Sequence, residues 1–347
     1  MEDSGKIYNA ILVSGALNSG MSVVTDLLKE CDSYFNLDPQ DESRDDGKGA
    51  LKFYLIQHPD GIMNMESVLV DNWTDINPDY AIRRFQKLVE VLGRPHSKLF
   101  RLGGDFNSKL SSQFVKLSNE YIDNLIDYTH QSHNIFRRME LNWINNLFQK
   151  FKNRIGLSKG YESLTTHISC PGDSFIPITR KYFNDLFSHI AEGKNIDHMV
   201  LLVPGAISFH PQRCMNYFHS AKCIIVNRDP RDMYLSARES TYLPRDLDHF
   251  IKWYKLMRVK SQKNEECENN ILRIQYEDMV FNYEHSINRI FSFLSIDQSS
   301  HSFPRKYFVP DSSKKRIGKW KKYDRKNEIE KISHDLKEYL YNENELS

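Results

Sequence analysis

Three short stretches of this sequence carry residues at spacings that suit anion binding. The first is Gly15-Ala-Leu-Asn-Ser-Gly-Met-Ser22. Apolar residues from Ile7 to Ser14 precede it, and Val23, Val24, Leu27 and Leu28 follow at helical spacing, so it reads as a Gly-rich turn between a buried strand and a helix. Backbone N–H groups at such a turn, with the positive end of a helix dipole, favour a phosphate. Against the phosphate-binding motif G-x-x-x-x-G-K-[ST], the glycines and Ser22 fit, but Met21 holds the lysine position and cannot reach terminal phosphates. The same residues also read as a strand-to-helix turn that holds no ligand.

The second stretch runs from Cys223 to Ser236. A buried strand ends at Arg228, Pro230 suits the first turn of a following helix, and Ser236 stands eight residues after the arginine. A guanidinium at a strand's C-terminal end and a hydroxyl from the next helix can share one phosphate. The alternative is a strand-end arginine paired with Asp229 or Asp232. The third stretch, Lys314-Lys-Arg-Ile-Gly318-Lys-Trp-Lys-Lys322, reads either as a solvated charge run or as a clamp whose cations offset the desolvation of a phosphate.

The elements that must position these residues follow from periodicity. Strand character recurs at 199–203, 223–226 and 271–274, separated by helix-length segments, which predicts an α/β fold with a P-loop-like parallel sheet flanked by helices. Leu110, Phe114, Leu117, Tyr121 and Leu125 predict one long helix, and Ile144, Leu147, Phe148 and Phe151 a second. With the looser stretch 156–177, these form a mostly helical insertion or lid over 105–195 within a single domain 1–347. The spacing of the insertion's aromatics, Tyr121, Tyr128, Phe136, Trp143, Phe148 and Phe151, says core before sugar-binding face. A polar loop at 38–49, a helical stripe at Ile287, Ile290, Phe291 and Leu294, a loop over 298–313 and a charged helix over 328–341 complete the chain.

Composition narrows the class. In 347 residues, 47 basic and 46 acidic side chains nearly cancel, so no global field advertises a nucleic-acid or anionic-membrane partner. A hydrophobic share of 40% excludes disorder as the main theme. Five scattered cysteines include no C-x-x-C pair, which argues against a disulfide scaffold or structural zinc. His130 and His133, three apart on the helical insert, read as a polar face rather than a metal pair, and no metal is assigned. The acidic start and the early break at Ser14 and Gly15 fit neither a signal peptide nor a spanning helix, and a cytoplasmic setting is expected.

Together, Leu17-Asn-Ser-Gly-Met-Ser22, the block Arg228 to Ser236, Tyr276-Glu-Asp-Met279 and Gly318-Lys-Trp320 resemble the sulfotransferases that use 3′-phosphoadenosine 5′-phosphosulfate (PAPS). The resemblance covers roughly residues 7 to 30 and 198 to 322. It implies transfer of a sulfuryl group from PAPS, leaving adenosine 3′,5′-bisphosphate (PAP), to an acceptor hydroxyl, with a glycan or glycoconjugate as the expected acceptor and no metal. By the same resemblance, Asn18, Ser19, Gly20, Met21 and Ser22 wrap the 5′-phosphosulfate. Arg228 and Ser236 hold the 3′-phosphate, helped by Lys314, Lys315, Arg316 and Gly318.

Two positions depart from the family's pattern. Its basic residue ahead of Ser-Gly is Asn18 here, with Lys52, Arg101 or a residue of the insert as candidate replacements. The Lys-x-His motif that supplies a base in some branches is replaced by Leu202-Val-Pro-Gly205. Base candidates are His58, Asp60, Glu66 and His210. Two other classes stay open: a P-loop phosphotransferase using a nucleoside triphosphate with magnesium, and a nucleotide-binding scaffold without turnover.

Overall fold

A computed structural model of the chain describes residues 6–37, 54–95, 104–132, 143–156, 164–239, 242–262 and 269–342. Its strands are β1 (Asn9–Gly15), β2 (Tyr34–Asn36), β3 (Tyr128–Ser132), β4 (Leu164–Ile168), β5 (His198–Leu202), β6 (Ser220–Asn227) and β7 (Ile271–Gln275). The helices used below are α1 (Ser22–Leu28), α2 (Ile62–Glu66), α3 (Asn77–Gly93), α4 (Phe114–Leu125), α5 (Trp143–Arg154) and α6 (Phe175–Ala191). They continue with α7 (Pro211–Met215), α8 (Pro230–Glu239), α9 (Leu247–Gln262), α10 (Tyr276–Phe281), α11 (Tyr283–Leu294) and α12 (Lys326–Asp335).

Five strands form a parallel sheet in the order β2-β5-β1-β6-β7, as the alternation of strand and helix in the sequence predicts. Central β1 sets Leu12 opposite both Leu201 and Cys223, and its side chains from Ala10 onward are buried. Such double burial explains the nearly unbroken apolar run in β1 and β6. Alternate residues feed two cores. Ala10, Leu12, Leu201 and Ile225 pack with Phe85, Tyr121 and Phe183 of α3, α4 and α6. On the other face, Ile11, Val13, Ile224 and Val226 pack with Leu27 of α1, Met279 of α10 and Ile290 of α11. A third core joins Tyr234 of α8, Phe250 and Tyr254 of α9 and Ile332 of α12.

The chain leaves β1 toward β2 on one side of the sheet and leaves β6 toward β7 on the other. Adjacent strands whose connections diverge open a crevice at their C-terminal ends, the usual ligand position in an open α/β sheet. Here the crevice lies beyond Gly15 and Val226, which are partners in register.

The 105–195 stretch differs from expectation in three ways. The first helix starts at Phe114 instead of Leu110, because Ser111 Oγ accepts the Gln113 N–H and the preceding turn ends at Lys109. A two-stranded antiparallel ribbon, β3 with β4, stands where a loose connection was expected, and His130 lies on this ribbon rather than on a helix. Its polar, solvent-facing sequence carries no alternation to reveal it. Finally, the aromatic stripe does not serve as core throughout: Tyr121 is buried, whereas Tyr128, Phe148 and Phe151 are exposed. His133, Phe136 and the 38–49 loop lie outside the described residues.

One buried carboxylate fixes the route to the basic segment. Glu30, just past α1, is fully buried and accepts N–H groups from Arg305, Tyr307 and Phe308 at 3.0, 2.8 and 2.8 Å, together with His301 Nε2 at 2.9 Å. These bonds shape 301–308, which the sequence alone marks only as loop. Replacing Glu30 by Ala strands those backbone donors without solvent, so urea unfolding is expected to show a loss of about 3 kcal/mol or more. A loss below about 1 kcal/mol would contradict this role.

Candidate anion-binding site

The loop after β1 approaches its neighbours too closely for side chains at two positions. A Cβ on Gly15 would lie 2.4 Å from both Ser19 Oγ and the Val226 carbonyl. Gly20 has φ of +86°, and a Cβ there would lie 2.3 Å from the ring of Tyr276. Asn18 adopts left-handed backbone with φ of 68°, which asparagine tolerates better than most residues. The Ser19 N–H bonds the Ala16 carbonyl, closing the turn. Ser19 is fully buried, and among the described residues neither its Oγ nor Asn18 Nδ2 has a partner.

Arg228, one residue past β6, faces this loop. Its Nη1 donates to the Asn18 carbonyl at 3.0 Å and to Ser236 Oγ at 3.4 Å, and its Nη2 donates to the Arg316 carbonyl at 2.7 Å. The guanidinium lies 5.0 Å from the centre of the Tyr276 ring, a cation–π arrangement. Although only 6% of the residue is exposed, its Nε has no partner among the described residues. One guanidinium thus joins the glycine loop, Ser236 in the second half of α8 and the late basic segment.

Pairing of Arg228 with Asp229 or Asp232 is not the arrangement among the described residues. Asp229 instead accepts from Arg231, bidentately, and from the Tyr341 N–H. Asp232 accepts the Gly318 N–H at 2.7 Å and the Trp320 N–H at 3.4 Å, while Arg231 lies 3.8 Å from the Trp320 ring centre. Burial raises the Asp232 pKa against these bonds. Gly318 needs φ of +70° to present its N–H there. Lys314, Lys315 and Arg316 are exposed beside this anchored turn, Lys314 in an ion pair with Asp311 at 2.7 Å.

The sequence gives Tyr276 and Glu277 no individual role, though the Tyr-Glu-Asp motif is visible, and offers Asp232 only as a partner for Arg228. Tyr276 floors the loop, and Asp232 fixes the basic turn. Glu277 Oε1 accepts the Asp229 N–H at 3.0 Å, while Oε2 has no partner among the described residues. Burial, helped by repulsion from Asp229 and opposed by Arg228, pushes its pKa up to about 7.

The four base candidates fall into distinct environments. Glu66 Oε2 accepts from Arg213 Nε and from the Tyr217 hydroxyl, each at 2.5 Å, tying α2 to α7. Asp60 pairs with Arg84 of α3, and its own N–H donates to His58 Nδ1 at 3.0 Å. That bond places the neutral imidazole's proton on Nε2, so His58 presents no free lone pair in this arrangement. His210 is exposed immediately before α7, and its ring has no partner among the described residues. Lys52 and Arg101 lie outside the described residues. No group of three or more metal-ligating side chains occurs among those described.

Glu277 yields a pH test. Because its folded pKa exceeds the ordinary 4.5, the protonated form is favoured in the folded state, and stability is lost as pH rises from about 4.5 through about 7. Glu277→Gln is therefore expected to stabilise the protein at pH 8 by on the order of 2 kcal/mol, with little effect at pH 4. Urea unfolding at both pH values checks this, and an equal effect at both would contradict it.

Residues 175–300 match the model of the sulfotransferase family. No curated protein matches the sequence. Among solved structures, similar ones include the sulfotransferase STF9 from Mycobacterium avium, at 12% identity and TM-score 0.41 over 97% of this chain and 77% of that one. The sulfotransferase domain of the Synechococcus PCC 7002 olefin synthase gives 11% identity and TM-score 0.40 over 92% and 90% of the two chains. The mouse sulfotransferase SULT7A1, complexed with PAP, gives 17% identity and TM-score 0.27 over 44% and 70%. The matched residues include Arg228, Ser236, Tyr276 and Glu277, which line the crevice.

Proposed function

We propose that the protein transfers a sulfuryl group from PAPS to an acceptor hydroxyl on a carbohydrate or glycoconjugate. The observation that carries this reading is the convergence of Asn18, Ser236 and Arg316 on the single guanidinium of Arg228. The donor set fits an anionic nucleotide: Arg228 Nε, Asn18 Nδ2 and Ser19 Oγ are buried and unpartnered among the described residues, beside exposed Lys315 and Arg316. Unmet buried donors are costly, and a bound phosphate would meet them.

When bound, PAPS supplies the activated sulfuryl group. The chain's part is to hold it: Ser19, Gly20, Met21 and Ser22 around the 5′ end, and Arg228 and Ser236, with Lys314, Lys315, Arg316 and Gly318, around the 3′-phosphate. Asn18 offers a neutral amide donor where the family carries a cation, so it can bond a leaving phosphate without neutralising it. With Glu66 and Asp60 in ion pairs and His58 holding an N–H, His210 is the proposed base. The stretch 105–195 is the proposed acceptor side, where exposed Tyr128 offers a ring face for a sugar. Cys31, Cys170 and Cys214 are free thiols, in keeping with a reducing cytoplasmic setting. No described helix is long and apolar enough to cross a membrane.

Three variants test these roles. Arg228→Ala is expected to raise the Kd for PAP by at least about 30-fold, about 2 kcal/mol, with Ser236→Ala giving a smaller loss in the same direction. Unchanged affinity in both variants would remove the 3′-phosphate assignment. His210→Ala should keep PAP affinity yet cut sulfuryl transfer by about 100-fold. Full turnover in that variant would remove the base assignment.

A further inference from the structure

Helix α5 has a composition and an exposure that the nucleotide site does not use. Ile144, Leu147, Phe148, Phe151 and Ile155 recur at intervals of three, one, three and four, and Ile155 continues the helix through its N–H bond to the Phe151 carbonyl. At about 100° per residue these five fall within an arc of about 100°. A core helix would bury such a stripe, yet the five are 45%, 53%, 63%, 60% and 50% exposed.

The charges are arranged around that stripe. On the same helical wheel, Lys152 flanks one edge and Lys150 and Arg154 the other, and all three are exposed. From Leu141 to Tyr161 the sequence has four cations, Lys150, Lys152, Arg154 and Lys159, and no acidic residue. The whole chain, by contrast, has a net charge of only +1. Long cationic side chains at both borders of an apolar stripe can keep their heads in a polar headgroup layer while their stems follow the stripe inward. No acidic group stands on this helix to repel an anionic surface.

We propose that α5 docks on an anionic lipid bilayer, with Phe148, Phe151 and their apolar neighbours entering the acyl boundary and Lys150, Lys152 and Arg154 at the headgroup phosphates. The helix lies in the connection between β3 and β4, away in sequence from the glycine loop and Arg228. Docking is therefore independent of the transferase reading and can fail or hold without it. It also reconciles the nearly neutral chain with a membrane partner, since the attraction is local.

The test is sedimentation of the full chain with vesicles of phosphatidylcholine alone and of phosphatidylcholine with about 30% phosphatidylserine. The expected result is partition onto the phosphatidylserine vesicles, weakened by high salt, and little onto the neutral ones. Phe148→Ser with Phe151→Ser, and separately Lys150→Gln with Arg154→Gln, should each lower that partition at least about tenfold while leaving the unfolding midpoint in place, because the side chains are solvent-exposed. The proposal is overturned if the wild type ignores both vesicle types or binds both equally. It is also overturned if either pair of substitutions leaves partition intact. Concentration-dependent self-association abolished by the phenylalanine changes, without vesicle binding, would assign the face to a second copy instead.

Discussion

A buried guanidinium with more than one backbone to satisfy is the constraint on which this crevice depends. Arg228 is removed from water, where an unpaired charge would be severely destabilising, and it has no ion pair among the described residues. Its compensation is distributed: carbonyls of Asn18 and Arg316, the Ser236 hydroxyl and the face of Tyr276. Residues 18, 228, 276 and 316 are distant in sequence, so satisfying one side chain brings four segments to the same end of the sheet. The carboxylates that could have neutralised it, Asp229 and Asp232, are engaged by Arg231 and by the N–H groups of Gly318 and Trp320. The positive charge at the crevice is consequently left available to an anion.

The rest of the architecture serves that arrangement. Divergent connections from β1 and β6 open the crevice, and glycines at 15 and 20 let the loop lie against Val226 and Tyr276. Glu30 directs 301–308 across the end of α1 toward the basic turn, which Asp232 and the Arg231–Trp320 stack then hold. Such pre-positioned donors require little reorganisation when charge develops near them. Glu277 sits behind this assembly, where burial favours its protonated form.

Legibility in the sequence followed the range of the interactions. The glycine loop, the parallel strands and the pairing of Arg228 with Ser236 are encoded locally, and local pattern sufficed for them. The partners of Glu66 and Asp60 were hidden because Arg213 stands 147 residues from Glu66 and Arg84 stands 24 from Asp60. Without those partners, a carboxylate engaged in an ion pair looks the same as a catalytic one. The roles of Asp232 and Glu30 were invisible for a related reason, since each acts on backbone N–H groups whose positions only the folded chain defines. In α5, periodicity correctly gave a helix but could not say which surface the stripe would meet, and solvent exposure at Phe148 and Phe151 is opposite to the expectation of core. The β3–β4 ribbon lacked any apolar alternation to betray it.

The proposed function requires that the crevice around Arg228 recognise a nucleotide with phosphate at both its 3′ and 5′ positions. Calorimetric titration of the purified protein with adenosine 3′,5′-bisphosphate, set beside ATP with magnesium, tests it most directly. Metal-independent binding of the bisphosphate is expected, at least about tenfold tighter than ATP with magnesium, a difference of about 1.4 kcal/mol. Preference for ATP with magnesium would contradict it and favour a phosphotransferase, and binding of neither would contradict it in favour of a scaffold without a nucleotide site.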